Sequence, residues 1–182
     1  MLQWIKNLFF QKEKYKNEIL FCIATIEDLD FLEDCIQAGS SEKHFREMSR
    51  DEIKKAIKHQ TQNSILAVIK SAETNIDIGF LYVGKNNRIF ESGTQEVFSG
   101  YEINLLYILE PYRKNGIGTK TILQIEKMFK QQNVNKIYAR CDKYHSIEAI
   151  ALFKKLGYQD NGKVSEFPNK DLYYIILEKD LV

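Results

Sequence analysis

Residues 113 to 119 read Arg-Lys-Asn-Gly-Ile-Gly-Thr, and residues of these types in this order can hold a phosphate. Gly116 and Gly118 remove the Cβ where a backbone must come close to a ligand. After them, Ile122, Ile125, Met128 and Phe129 recur at helical spacing, with Glu126, Lys127 and Lys130 off that face. A helix starting there presents its unpaired first N–H groups and the positive end of its dipole. Ahead of the loop, Ile103 to Leu109 is apolar except at Asn104, as in a strand buried on both faces, and Pro111 ends it. Strand, glycine loop and helix together make a pyrophosphate site. The loop lacks a following Gly-Lys-Ser/Thr, and the strands are not in Rossmann order, which argues against a nucleotide.

These residues need a scaffold, and 182 residues with 44% apolar content supply one domain with a sizeable core. A net charge of +1 argues against a general polyanion or nucleic-acid binder. Cys22, Cys35 and Cys141 show no paired spacing, and His44, His59 and His145 are equally scattered. This fits a reducing, cytoplasmic setting with small core thiols and no metal. No apolar run reaches transmembrane length. Residues 1–18 form an amphipathic extension: Trp4, Ile5, Leu8 and Phe9 share a helical face, followed by Lys12, Lys14 and Lys16. Docking on protein is favoured over membrane contact for this segment.

Residues 19–182 read as a single domain. A strand at 21–25 leads to a helix with Leu29, Phe31, Leu32 and Ile36, capped by Thr25 or Asp28. Gly39-Ser40-Ser41 reads as a break. Ser49-Arg50-Asp51-Glu52 is a capping box that starts a helix running to about His59. Strands follow at 65–69 and 76–83, then a turn at Lys85-Asn86-Asn87-Arg88 and an ambiguous stretch at 88–100 with strand character near Ile89 and Phe90. Beyond the loop helix come a strand at 136–140, a helix from Ser146 closed by Gly157, and a strand at 172–177. The fold class is α/β (α+β): a mixed domain built from strands and helices in alternation.

Two blocks carry a family resemblance. Arg113-Lys114-Asn115-Gly116-Ile117-Gly118 resembles the Arg/Gln-x-x-Gly-x-Gly/Ala loop of the GNAT superfamily of N-acetyltransferases. Residues 146–158, Ser-Ile-Glu-Ala-Ile-Ala-Leu-Phe-Lys-Lys-Leu-Gly-Tyr, resemble that family's Asn-x-x-Ala-Ile-x-Leu-Tyr-x-x-x-Gly-Phe segment. The resemblance implies the acyl-CoA N-acyltransferase fold, a mostly antiparallel sheet of six to seven strands flanked by about four helices. It implies acetyl-CoA as co-substrate, a small-molecule or peptide amine as acceptor, and a homodimer as a common assembly. Ser146 stands where the family has asparagine, and Phe153 where it often has a proton-donating tyrosine; phenylalanine has no proton to give.

The same resemblance distributes roles. The backbone of Leu106, Tyr107 and Ile108 pairs with the pantetheine arm, and one of its N–H groups serves a developing oxyanion. The amides of Arg113, Lys114, Asn115, Gly116, Ile117, Gly118 and Thr119 cradle the diphosphate, with charge added by Arg113 and Lys114. Ser146 and Phe153 border the cofactor. An acceptor amine of pKa near ~10.4 is mostly protonated at neutral pH, a handicap of roughly 4–5 kcal/mol, so a base is needed. Glu102 is the candidate, eleven residues before Arg113 as in the family's histone-acetylating members. Glu110 is the alternative, while Glu91 and Glu96 lean toward a cationic acceptor. Tyr144, His145 and Tyr158 are the nearest proton donors to position 153. An alternative function is a coenzyme A-binding module without turnover.

Overall fold

The computed structural model describes residues 18–61, 63–89, 97–166 and 173–181. The expected N-terminal amphipathic segment, Phe90, Glu91, Glu96 and Leu172 lie outside the described residues. Seven strands are described: β1 (Ile19–Ile23), β2 (Ser64–Ser71), β3 (Asp77–Ile89), β4 (Val97–Ile108), β5 (Lys136–Asp142), β6 (Gln159–Glu166) and β7 (Tyr173–Asp180). They form one sheet in the order β1-β2-β3-β4-β5-β7-β6. Every neighbouring pair is antiparallel except β4 with β5. The helices are α1 (Leu29–Ser41), α2 (Arg50–Lys58), α3 (Ile117–Gln131) and α4 (Ile147–Lys155).

Period-two alternation divides the sheet between two cores. Ile65, Ala67 and Ile69 of β2 pack in one cluster with Ile122, Ile125 and Phe129 of α3 and Phe153 of α4. Leu66 and Val68 pack in the other, with Leu32 and Ile36 of α1 and Ile53 of α2. The helices therefore cover opposite faces in two pairs.

The helix starts follow the sequence signals. Thr25 caps a short 3-10 turn, Ile26–Asp28, which runs directly into α1. Ser49 and Glu52 form the reciprocal capping box of α2, with Glu52 Oε2 taking the Ser49 N–H at 2.8 Å. Gly157 adopts φ 91° behind α4, and the Tyr158 N–H reaches back to the Phe153 carbonyl at 3.0 Å.

Two expectations need correction, and one strand was not expected. Gly39-Ser40-Ser41 is not a break, because α1 continues through it. A Cβ at Gly39 would lie 2.2 Å from the Phe45 ring, so the glycine serves packing. Residues Lys85 to Arg88 are not a turn, because β3 continues to Ile89 and pairs with β4 from Lys85↔Tyr101 to Ile89↔Val97. The ladder overrides the polar composition there. β6 is a strand absent from the sequence reading: it is an edge strand on β7 whose register shifts between Asp160 and Val164, so it lacks clean alternation.

Two features fix β4 within this frame. Gly79 faces Ile108 across the ladder, and a Cβ there would fall 2.2 Å from the Tyr107 carbonyl oxygen. Glu42, just past α1, accepts a hydrogen bond from the Tyr107 hydroxyl at 2.9 Å. The Arg113 guanidinium closes on the same carboxylate, with Nη1 at 2.9 Å and Nη2 at 3.1 Å. Burial acts upward on the Glu42 carboxyl, but hydrogen bonds from Arg113 and Tyr107 outweigh it and hold the group below the ordinary carboxylate range.

Gly79→Ala is expected to destabilise the fold by about 1–3 kcal/mol in urea unfolding, because a backbone oxygen cannot rotate away. Gly84→Ala, whose nearest contact is 3.2 Å from the Asn63 carbonyl, is the milder control. Equal losses in the two variants would remove the packing explanation. A depressed Glu42 stabilises the fold fully above its unfolded pKa of ~4.3, and that contribution disappears as pH falls through the lower folded value. Glu42→Gln should therefore flatten the acid limb of the stability curve, which a pH series of thermal melts would read.

Candidate active site

Parallel pairing between β4 and β5 is brief: Tyr101, Glu102 and Ile103 face Ile137, Tyr138 and Ala139, and the ladder stops there. β4 runs on to Ile108 and β5 to Asp142 without pairing each other. The cause lies at Asn104, the polar residue that interrupts the apolar run. Tyr82 faces Leu105 and Val83 faces Ile103, so Asn104 is the extra residue of a β-bulge. A bulge bends its strand and increases the local twist, which swings β4 away from β5.

The split opens a cavity of about 1090 Å³. Its walls include Asn104 to Ile108 of β4, Arg140 and Cys141 of β5, Ser146, Leu152 and Phe153 around α4, Lys55 and Ala56 of α2, and His59 just past it. The Leu109 N–H bonds the Ile78 carbonyl at 2.9 Å, which sets the phase of the ladder. Odd-numbered residues there turn their backbone groups to β3, so Leu106 and Ile108 turn theirs to the opened edge. Tyr107 differs from its neighbours: its backbone faces Phe80 in the ladder with β3, and the residue borders the cavity.

At the mouth, Lys114 has φ 62° and Gly116 φ 77°, so the chain coils before entering α3. A Cβ built at Gly116 meets nothing within 4 Å, so the backbone faces open space. Gly116 is the N-cap of α3 and makes no side-chain cap, and the first turn contains no acid. These uncapped donors suit an anion. Gly118 serves a different purpose, since a Cβ there would lie 3.2 Å from Leu152 Cδ2 of α4. Ile117 anchors the start of the helix in the core, Thr119 borders the cavity, and Asn115 is exposed outside its lining.

The added charge expected of Arg113 is largely committed. Besides gripping Glu42, its Nε donates to the Ile108 carbonyl at 2.8 Å and its guanidinium lies 5.0 Å from the centre of the Tyr107 ring. Arg113 thus ties the loop to β4 and α1. Among the described residues Lys114 reaches the exposed Glu148 of α4, at 3.5 Å, a contact worth little in water.

Glu102 is buried at 4% exposure, at the point where the strands part. Its Oε1 lies 3.2 Å from Arg140 Nε. Arg140 lines the cavity and stacks 5.2 Å from the Tyr174 ring centre; Glu102 itself is not part of the lining. Glu110 is exposed in the 3-10 turn Glu110–Tyr112 and lies outside the cavity lining, which that turn joins through Tyr112.

The proton donors near position 153 separate clearly. Phe153 lines the cavity and packs edge-on against Tyr158, centroids 4.9 Å apart. Tyr158 is outside the lining, and burial, then the Glu126 charge, pushes its hydroxyl far up. Tyr144 is exposed and also outside it. His145 does border the cavity, with Nδ1 held 2.7 Å from Asp142 Oδ1. The same Asp142 oxygen takes the N–H groups of Tyr144 at 3.0 Å and His145 at 2.7 Å, shaping the turn into α4. Ser146 begins that helix, and its hydroxyl makes no cap bond. Cys141 also faces the cavity, and burial, then the charges of Asp142 and Glu102, pushes its thiol up to about 12.

Sequence reading missed Glu42, Arg140 and the cavity face of α2. Glu42 meets Arg113 across 71 residues, and no local pattern signals such a pair. Asp142 had a signal, a helix-start residue ahead of Ser146.

Comparison with known proteins agrees with this architecture. The sequence model described as "Acetyltransferase (GNAT) family" matches residues 31–158. No curated protein matches significantly. A solved structure of a putative phosphinothricin N-acetyltransferase superposes with a TM-score of 0.69 at 14% identity, covering 91% of this chain and 99% of that one. Spermidine N-acetyltransferase from Vibrio cholerae, in complex with CoA and spermine, gives 0.68 at 17%, covering 90% and 95%. The PaiA N-acetyltransferase from Thermoplasma acidophilum, in complex with coenzyme A, gives 0.62 at 17%, covering 90% and 99%. With the family model spanning well over half of the chain, and the split sheet and glycine loop in place, this protein belongs to the GNAT acetyltransferase family.

Proposed function

We propose that the chain is an acetyl-CoA-dependent N-acetyltransferase that acts on a primary amine of a small molecule or protein by direct transfer in a ternary complex. The observation that carries this reading is the opened β4 edge leading away from the Gly116 loop. The coenzyme A held by neighbours of the same fold supports it. The amides at the start of α3 would hold the diphosphate, and the backbones of Leu106 and Ile108 would pair with the pantetheine arm. Ser146 and Phe153 would border that arm. Bound acetyl-CoA supplies an activated thioester.

The residues do the rest. The Leu106 N–H, turned to the opened edge, is the donor assigned to a developing oxyanion. Glu102 is assigned to accept the amine proton through water, with Arg140 fixing its carboxylate. Cys141 is a poor nucleophile with its thiol near 12, which supports direct transfer over an acyl-cysteine route. Cys22, Cys35 and Cys141 are all free thiols, in keeping with a cytoplasmic setting. The second reading, a coenzyme A-binding module without turnover, is favoured by one observation: Phe153 places a ring without a proton on the cavity wall.

Gly116→Ala should weaken acetyl-CoA binding about tenfold by calorimetry, since the backbone at φ 77° strains and a methyl enters the open space. Unchanged affinity would move the diphosphate elsewhere. Glu102→Gln should lower kcat about a hundredfold while leaving acetyl-CoA affinity intact, with the deepest loss at low pH where more of the amine is protonated. A pH–rate profile identical to the parent would strip Glu102 of its role. Binding of acetyl-CoA with no thiol release across polyamines, amino acids, aminoglycosides and peptides would select the second reading.

A further inference from the structure

We infer that the acceptor is a small monoamine with an apolar body, a single aromatic ring or branched chain, seated on Tyr82 and Leu105; this step rests on the transferase reading above. Side chains of paired residues share a face, so the β3–β4 register shows what lies beside Glu102. On the side covered by α1 and α2 the ladder presents Phe80↔Tyr107, then Tyr82↔Leu105, then Gly84↔Glu102 beyond the bulge. Val83 and Ile103, between the last two pairs, belong to the opposite core.

These neighbours on one face are treated differently. The Phe45 ring lies edge-on to Phe80 at 6.2 Å and to Tyr107 at 6.0 Å, and both are buried. Glu102 is buried and already paired with Arg140. Between them, Tyr82 and Leu105 are only half-buried, and both border the cavity. The helices therefore cover this face and leave one apolar pair open. The Tyr82 hydroxyl is 3.4 Å from the Ser64 hydroxyl, which ties the polar end of the phenol to β2. Met48 and Ala56, also half-buried, add to the same apolar lining.

The open pair adjoins the assigned base. Tyr82 and Gly84 are two residues apart along β3, about 7 Å, and Gly84 faces Glu102. A short alkyl arm on a ring seated at Tyr82 and Leu105 spans that interval and brings its amine toward Glu102. The helix that follows the glycine loop packs on the opposite face, so a cofactor held there leaves this pair to the second ligand. A second cation on the acceptor would find no carboxylate to meet. Among the described residues lining the cavity the acids are Glu52 and Glu148; Arg46 holds the first at 2.8 Å, and the second lies at the loop end, 3.5 Å from Lys114. Burying an unpaired charge is costly, so a polyamine is disfavoured where an apolar body is welcome.

The test uses the full chain with acetyl-CoA, read by thiol release, and acceptors matched in their reacting amine: phenethylamine against ethanolamine, isopentylamine against cadaverine, and spermidine as the polycation. The apolar member of each pair should be favoured roughly tenfold or more in kcat/KM. Tyr82→Ser should cut that preference about tenfold through KM, whereas Tyr82→Phe should keep it. Leu105→Ala removes the other half of the wall and should cut the preference as well, with acetyl-CoA affinity as the folding control for all three variants. Faster turnover of ethanolamine, cadaverine or spermidine, or a preference untouched by both Tyr82→Ser and Leu105→Ala, would overturn the inference and leave the transferase reading standing. So would turnover of a leucine-initiated peptide ahead of both apolar amines. Acetyl-CoA binding without turnover of any acceptor would overturn both.

Discussion

The structure depends on one interruption, the end of the parallel ladder between β4 and β5 after Ile103 and Ala139. Inside a sheet, backbone groups left without partners are costly, and folded chains nearly always satisfy them. Here the sheet keeps two strands at its centre apart, and the exposed edge becomes a place where an extended ligand can complete the ladder. The extra residue at Asn104 makes this possible without breaking β4, because the bulge changes the strand's direction while the pairing with β3 resumes at Leu105. Gly79 completes the arrangement from the other side by letting the two backbones close tightly next to Tyr107.

A split held open needs bracing at its mouth, and the Glu42 cluster provides it. One carboxylate joins the end of α1, the Tyr107 side chain and the Arg113 guanidinium. Arg113 also takes the Ile108 carbonyl, so the last residue of β4 is fastened to the loop that follows it. Tyr107 remains a donor in this cluster, since burial, then the Glu42 hydrogen bond, pushes its hydroxyl up to about 12. The loop arginine is thus a brace, and what the loop can offer an anion is its backbone and the uncapped start of α3.

What was legible in the sequence was whatever local chemistry dictates. Gly116, Pro111 and the Ser49–Glu52 box announce turns and helix starts through backbone preferences that act within a few residues. The apolar run at 65–69 marked a buried strand, but which of its residues face which core came only with the packing. Features set by distant partners stayed hidden. The strand at 85–88 exists because 97–101 lies beside it, and β6 exists because β7 does. Glu102 illustrates the limit within the site: its type and position were readable, but its ion pair with Arg140 depends on two strands meeting side by side.

Phe153 is the sharpest departure from the family pattern, and its energetic weight can be bounded. A departing thiol with an ordinary pKa of about 8.5 lies only about 1.5 units above neutrality, so the advantage of protonating it is on the order of 2 kcal/mol. The amine's handicap is roughly twice as large. Losing a proton donor at position 153 is therefore the smaller of the two problems. His145, held by Asp142 on the cavity wall, keeps an imidazole within the same enclosure. In the transferase reading proposed above, the chemistry would then turn on how the amine is delivered and deprotonated. That directs attention to the point where β4 and β5 part, with Arg140 on the cavity wall and Glu102 paired behind it.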